Sequence, residues 1–342
     1  MGPEKRTQTQ VATIDAARGI FAIAVMVYHL LYFNGFAQVE RIAYYAVYGF
    51  FVISGFALYI TYCDRLATIH DLRAYFIKRF FRIAPLYFVV LIARLCVPPL
   101  PGDLFYRLLL NFSLTFGFAN PGSTALNGGG WSIGIEMVFY LVLPFIIILC
   151  RGSLARMAAL TIFASLVAVL FINITLRGNQ GVMTSELWER YTQPVAFFGY
   201  FTFGVTLGAI YLSFPTLKGS RYSVVFIVAG LVPLLLLQTN TDLQLLTGGT
   251  GLGLAIATCL LVAGAALLPE PSGRLRLFAI WLGAMSYPVY LIHLLVTTFL
   301  RNLLTPGLGA IAVAVILTFA LSMIVNRGVE RPFREIGKKI AS

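Results

Sequence analysis

Residues 14–30 read IDAARGIFAIAVMVYHL, and three of their side chains could do chemistry: Asp15, Arg18 and His29. The stretch is otherwise apolar enough to cross a bilayer. Ionisable groups in such a segment are costly, so they face a partner, a cavity or a substrate. Arg18 and His29 share one helix face and lie roughly 16 Å apart along the axis, at 1.5 Å per residue. A long molecule could run down that face, anchored near one membrane surface and reaching a titratable group towards the other. An imidazole titrates near neutral pH and can take a proton from a hydroxyl as general base. The plainer alternative is a histidine that packs between helices.

Three more stretches carry reactive side chains. Arg79 and Arg82 are i, i+3 neighbours if their segment is helical, and two guanidinium forks at a membrane surface suit a phosphate group. Anchoring to anionic lipid would place them there equally well. Trp131-Ser132-Ile133-Gly134-Ile135-Glu136 puts a carboxylate a turn or two inside an apolar run. It is a site candidate by default, or else a structural partner for an arginine or a tyrosine hydroxyl. Ser286-Tyr287-Pro288-Val289-Tyr290-Leu291-Ile292-His293 adds hydroxyls and a second imidazole in another run.

The elements that must position these groups follow from composition. Of 342 residues, 59% are hydrophobic and 11% charged, against about 25% charged in soluble domains. Repeated long apolar runs make this an all-α polytopic membrane protein. Ten spans are expected, at 12–33, 43–62, 80–97, 131–150, 156–175, 194–213, 222–238, 245–268, 277–300 and 308–326. The net charge of +12 sits in the links between runs, which reads as topology and not as nucleic-acid binding. Of 25 Lys and Arg, six fall on one side (Arg41, Arg94, Arg107, Arg177, Arg190 and Arg301). The other nineteen, Lys5, Arg6 and Arg151 among them, fall on the side of the two termini. That bias predicts cytoplasmic termini. It also puts His29, Glu136 and His293 in the outer half of the membrane, and Arg18, Arg79 and Arg82 towards the cytoplasm.

The expected organisation is one domain over 1–342, with a bundle at 12–326 and cytoplasmic tails at 1–11 and 327–342. The first run is too long for a signal-peptide core and reads as a retained helix. Residues 104–118, apolar but too short to span and carrying Arg107, read as a surface amphipathic or re-entrant piece on the outer face. The outer link 98–130 ends in Asn127-Gly128-Gly129-Gly130, either a flexible loop or a lid. Gly204/Gly208 and Gly249/Gly253 are small-xxx-small pairs expected to pack helices. Cys63, Cys96, Cys150 and Cys259 are scattered singly, with no metal-ligand spacing and no disulfide framework.

At these stretches the sequence resembles the acyltransferase 3 family of bacterial membrane O-acyltransferases. The similarity runs through Arg18-Gly19 with His29, FFVISGF from Phe50 to Phe56, RFFRIAPLY from Arg79 to Tyr87, WSIGIE, and SYPVYLIH, in the family's order and over essentially the whole chain. Tyr48 stands where the family often has an acidic residue, so no carboxylate role carries over there.

The resemblance implies ten spanning helices in the bacterial inner membrane. It also implies transfer of an acyl group, usually acetyl, from cytoplasmic acetyl-CoA or another acyl-CoA to a glycan hydroxyl at the outer face. Exopolysaccharide, O-antigen and lipid-linked oligosaccharide are acceptors of this kind. No metal is implied; the partners are acyl-CoA, a glycan and membrane lipid. Arg79 and Arg82 would hold the donor's phosphates, Arg18 would line its path, and the arm would run up the face that leads to His29. His29 would be the general base, and Ser132, Trp131, Tyr290 or His293 would contact the acceptor or the oxyanion. Glu136 would orient an imidazole or position the acceptor. The rival readings are a transporter or glycan flippase, since intramembrane charges also mark transport paths, and a non-catalytic envelope subunit.

Overall fold

The computed structural model describes residues 10–36, 40–150, 153–179, 182, 186–237, 239 and 241–342. Lys5, Arg6, Arg151 and tail residues 1–9 lie outside the described residues. The chain runs α1 (Ala12–Phe33), α2 (Glu40–Tyr62), α3 (Ile69–Leu95), the short α4 (Leu104–Phe112) and the turn α5 (Pro121–Thr124). It continues with α6 (Gly130–Cys150), α7 (Leu154–Leu176), the turn α8 (Trp188–Tyr191), α9 (Pro194–Ser213), α10 (Tyr222–Leu236) and α11 (Gly248–Leu267). Last come α12 (Gly273–Arg301), α13 (Leu308–Val325), a π-helical turn (Asn326–Glu330) and α14 (Arg331–Ile340).

Long helices stand at all ten expected positions. Eight are long and apolar enough to cross a membrane, counting the run Leu308–Ile340 as one. The exceptions are α10, with 15 residues, and α3, whose first half carries Asp71, Arg73, Lys78, Arg79 and Arg82. The multi-pass, all-helical class is thus as expected. The outer faces of α7 and α13 expose Ile162, Phe163, Leu166, Leu170, Ile316 and Ile324. Such a belt is stable only against hydrocarbon. The end of the bundle where α1 begins is termed proximal, and the end where it finishes distal.

Close backbone approach sets the register at the centre. A Cβ on Gly19 would sit 2.7 Å from the Leu282 carbonyl oxygen, and one on Gly283 2.8 Å from the Asp15 Cα. Small residues at both points let α1 and α12 touch, and the two helices run parallel from there. Ten residues on, roughly 15 Å, the same register brings His29 to His293. Gly204 and Gly208 pack on Val52, Phe56 and Tyr59 of α2 as expected. Gly249 and Gly253 do not pack: nothing lies within 4 Å of a Cβ at either. The space beside those two positions is open, whereas Gly251, turned to another side, lies against the backbone of Leu246 in the turn before the helix.

Proline breaks in two helices are closed by neighbours. Pro144 frees the Tyr140 carbonyl, which accepts from the Tyr75 hydroxyl at 2.9 Å. Pro288 frees the Ala284 carbonyl, which accepts from Asn326 Nδ2 at 3.2 Å. Inside a bilayer such partners replace water, which is absent.

Residues 104–118 are both things the sequence allowed. α4 is nine residues with Phe105, Tyr106 and Leu109 exposed on one side and Asn111 fully buried on the other. The chain then turns at Leu114, φ 59°, and dips back to seat Phe116 and Gly117 against Gly134. The link 98–130 is not a free loop. Asn111 accepts from the Tyr87 hydroxyl and the Leu126 amide, and Asn127 donates to the Leu291 carbonyl.

The expected tail 327–342 is a folded element. α14 packs on α3, with Gly337 against the Phe81 side chain and Phe333 stacked on the Phe81 ring at 6.5 Å. Its glycine and aromatic contacts gave no span-like signal, which is why hydropathy alone left it as tail. At the start of α3, Thr68 caps the helix and hydrogen bonds from its hydroxyl and amide hold the Asp71 carboxyl below the usual carboxylate range.

Candidate active site

Among the described residues, two cavities in the interior bring the candidate groups together. The larger, about 970 Å³, opens among the exposed Arg65 and Lys338 at the proximal end and extends to Phe50, Ser132 and Tyr290. Along α2 it runs from Phe50 to Tyr62, roughly 18 Å at 1.5 Å per residue. The smaller, about 300 Å³, lies distally and is walled by Tyr28, His29, Tyr44, Trp131, Trp188 and His293. Gly128 and Gly129 of the distal link complete that wall. Tyr290 lines both cavities.

The partition is built from aromatic rings and one hydroxyl pair. Phe50 meets Phe21 of α1 at 6.0 Å and Tyr290 of α12 at 5.7 Å, both edge-on. The Tyr290 hydroxyl lies 2.9 Å from Ser132 Oγ, which also donates to the Gly129 carbonyl at 3.1 Å. With the serine proton on Gly129, the tyrosine proton goes to the serine oxygen. Both hydroxyl protons are engaged at rest, so either must exchange partners to serve an oxyanion.

The larger cavity is cationic at one end and carboxylate-lined in the middle. Arg79 donates to the Tyr62 hydroxyl at 3.2 Å and lies over the Tyr62 and Tyr140 rings at 5.4 and 5.8 Å. Its buried Nε has no partner among the described residues. Arg82 is less free: it pairs with the fully buried Glu330 and stands 5.9 Å over the Tyr287 ring. Arg18 lines the same cavity and pairs loosely with Asp15 at 3.7 Å. Glu136 accepts from Ser54 at 2.9 Å and from Tyr140 at 2.5 Å, both on Oε1.

The two imidazoles form a pair in the smaller cavity. His293 Nδ1 lies 3.0 Å from the Val289 carbonyl, which can only accept, so Nδ1 carries the proton and Nε2 a lone pair. That Nε2 faces His29 Nδ1 at 3.2 Å. His29 Nδ1 also meets the Val25 carbonyl at 2.9 Å. Two acceptors around one nitrogen assign the proton to Nδ1, shared between them. His29 Nε2 is therefore the basic atom, on a side chain that is half-buried and lines the cavity.

Residues 11–327 match the acyltransferase 3 family, described as an acyltransferase domain. The chain belongs to this family. Neither a curated protein nor a solved structure matches it.

The acyltransferase brings together some of the expected groups and separates others. Arg18, Arg79, Arg82, Ser132, Glu136 and Tyr290 line the larger cavity; His29, His293, Trp131 and Tyr290 line the smaller. Arg18 and His29 share a helix face as expected but not a chamber, because Phe50 and Tyr290 stand between them. Glu136 does not orient an imidazole. Its side chain points to Ser54 and Tyr140, and His293 is the neighbour of His29. Several lining residues of the acyltransferase had no sequence signal. Trp188 arrives from a four-residue turn and Glu40 from the start of α2. Arg334 and Lys338 come from α14, and only its basic spacing of four residues could have flagged them.

Proposed function

We propose that this acyltransferase takes an acyl group, most simply acetyl, from acyl-CoA entering at the proximal, cytoplasmic end. It passes the group to a hydroxyl of a glycan bound at the distal, extracytoplasmic end. The observation that carries the reading is the pair of unlike chambers sharing Tyr290: one long and cationic, the other short, aromatic and holding a basic imidazole nitrogen. A phosphate-bearing head suits the guanidinium of Arg79, whose Nε awaits a partner. An extended arm suits the length of the cavity. Faces of Trp131, Trp188 and Tyr44 suit a sugar ring, apolar on its face and polar at its rim.

In this mechanism the thioester carbonyl reaches the Ser132–Tyr290 boundary. His29 Nε2 takes the proton of the acceptor hydroxyl as its oxygen bonds to the carbonyl carbon. The oxyanion receives a hydrogen bond from Tyr290 or Ser132 after one of them exchanges partner. Collapse breaks the carbon–sulfur bond, and the CoA thiolate leaves with the proton returned from the imidazolium. His293 Nε2 accepts from the His29 Nδ1–H throughout and so positions the base. Arg18 and Glu136 line the donor's path, with Glu136 holding Ser54 and Tyr140.

The test is thiol release from acetyl-CoA by the purified protein in lipid nanodiscs, with and without envelope glycan. Glycan-stimulated release by wild type, lost in His29→Ala, is expected. Glycan-stimulated release at wild-type rate in His29→Ala refutes the general-base role, and no CoA binding by wild type refutes the donor.

A further inference from the structure

We infer that α14 completes the donor site: Arg334 and Lys338 receive a phosphate group at the cavity mouth, apart from any held deeper by Arg79. The inference rests on the acyl-CoA reading, in which that group is the 3′-phosphate of the adenosine.

Geometry carries it. Arg334 and Lys338 are i, i+4 on one helix and so project from the same face. Both line the larger cavity at its open end, together with Lys78 of α3. These two cations lie on α14, beyond the matched family region, which ends at residue 327. α14 is fixed in place: Gly337 seats under Phe81, and the π-helical turn before it is tied by Asn326 to the Ala284 carbonyl and to Glu330. Glu330, fully buried, lies against Arg82 and 3.7 Å from Arg334. One carboxylate between two guanidiniums leaves a net positive charge and holds the forks apart. Among the described residues Lys338 pairs with the exposed Glu335 at 2.7 Å, a surface pair of little worth that an incoming phosphate displaces. The result is a rim whose cations Arg65, Lys78, Arg334 and Lys338 outnumber the carboxylates Asp64 and Asp71 that line the same cavity, and a phosphate on the entering molecule meets it first.

A lipid headgroup offers the same chemistry, so the test separates the sources. CoA and 3′-dephospho-CoA are titrated calorimetrically into the full chain in nanodiscs of purely zwitterionic lipid. Wild type is expected to bind CoA at least about tenfold more tightly, the scale of a charge-assisted contact. Arg334→Ala with Lys338→Ala is expected to lose that preference by weakening CoA alone, and Arg334→Lys with native Lys338 to keep most of it. The single exposed change Lys338→Ala, which disturbs no packing, is expected to lose part. Equal loss for both ligands, or unchanged preference in the double variant, overturns the inference. So does a preference unchanged by the double variant in zwitterionic nanodiscs while that variant loses affinity for vesicles containing anionic lipid, which would assign the rim to headgroups. If wild type binds CoA and 3′-dephospho-CoA equally, α14 is refuted while the donor stands; if it binds neither, the donor reading fails first.

Discussion

Replacing His293 by alanine tests the division of labour between the two imidazoles. In the proposed mechanism His29 is the base and His293 its support: the Val289 carbonyl fixes the His293 proton on Nδ1 and turns its lone pair to His29. At 3.2 Å this is a long hydrogen bond, and the Val25 carbonyl shares the same donor. A bond of this kind contributes about 0.5–1.5 kcal/mol when neutral and about 1.5–3 kcal/mol once the donor is charged. Only the difference acts on the chemical step, because the neutral bond is present before it as well. About 1–1.5 kcal/mol corresponds to a five- to thirteen-fold fall in turnover. Removing the base itself should cost about 10²–10⁴. Single-turnover thiol release, normalised to folded protein, should therefore rank wild type above His293→Ala, and His293→Ala well above His29→Ala. His293→Gln offers an amide oxygen as acceptor and should recover part of the loss. If His293→Ala falls as far as His29→Ala or further, the tautomer argument is wrong and His293 takes part in the proton transfer itself.

Three other outcomes follow from the structure. Arg79→Ala should weaken CoA binding roughly ten- to hundred-fold, the value of a charge-assisted contact, and unchanged affinity in calorimetry would return Arg79 to a helix anchor. Gly134→Ala should lower the thermal unfolding midpoint, because its Cβ would sit 2.5 and 2.6 Å from Phe116 ring carbons and overpacking costs about 1–3 kcal/mol; Gly253→Ala, with open space around it, should be neutral or slightly stabilising, and equal effects would disprove the close contact. In a variant keeping Cys96 alone, an impermeant maleimide should label this exposed thiol from outside intact spheroplasts; labelling only after lysis would invert the proposed topology.

The fold was legible wherever one apolar run made one helix. Length and hydropathy place α1, α2, α6, α7, α9, α11, α12 and α13 within a few residues, since each buries or offers to lipid an uninterrupted apolar surface. The charge bias correctly kept residues 104–118 from being counted as a span. It failed at α14, where ten residues of strongly amphipathic helix look like a basic tail until Phe81 and Gly337 are known to meet. It failed also at Gly249 and Gly253. Small-residue spacing says that two helices can approach, whereas the approach requires a partner on that face.

Sequence orders the site residues along their helices but leaves their azimuth open. A helix rises 1.5 Å per residue, so span boundaries alone put His29, Glu136 and His293 in the same half of the membrane. Which wall each faces depends on helix rotation, and that is set by contacts far along the chain. Gly19 against Leu282 and Asp15 against Gly283 bring α1 and α12 together in parallel, and this contact decides that the partner of His29 is an imidazole and not a carboxylate. Glu136 sits on α6, turned to α2 through Ser54 and down its own helix to Tyr140. Its charge lies with the arginines, in the larger cavity. With no carboxylate hydrogen-bonded to it among the described residues, His29 turns its Nδ1 proton to the Val25 carbonyl and His293 Nε2, which leaves its own Nε2 as the nitrogen open to the cavity. The separation of Glu136 from the histidines is what span depth could not reveal, and in the proposed mechanism it leaves the orientation of the base to His293.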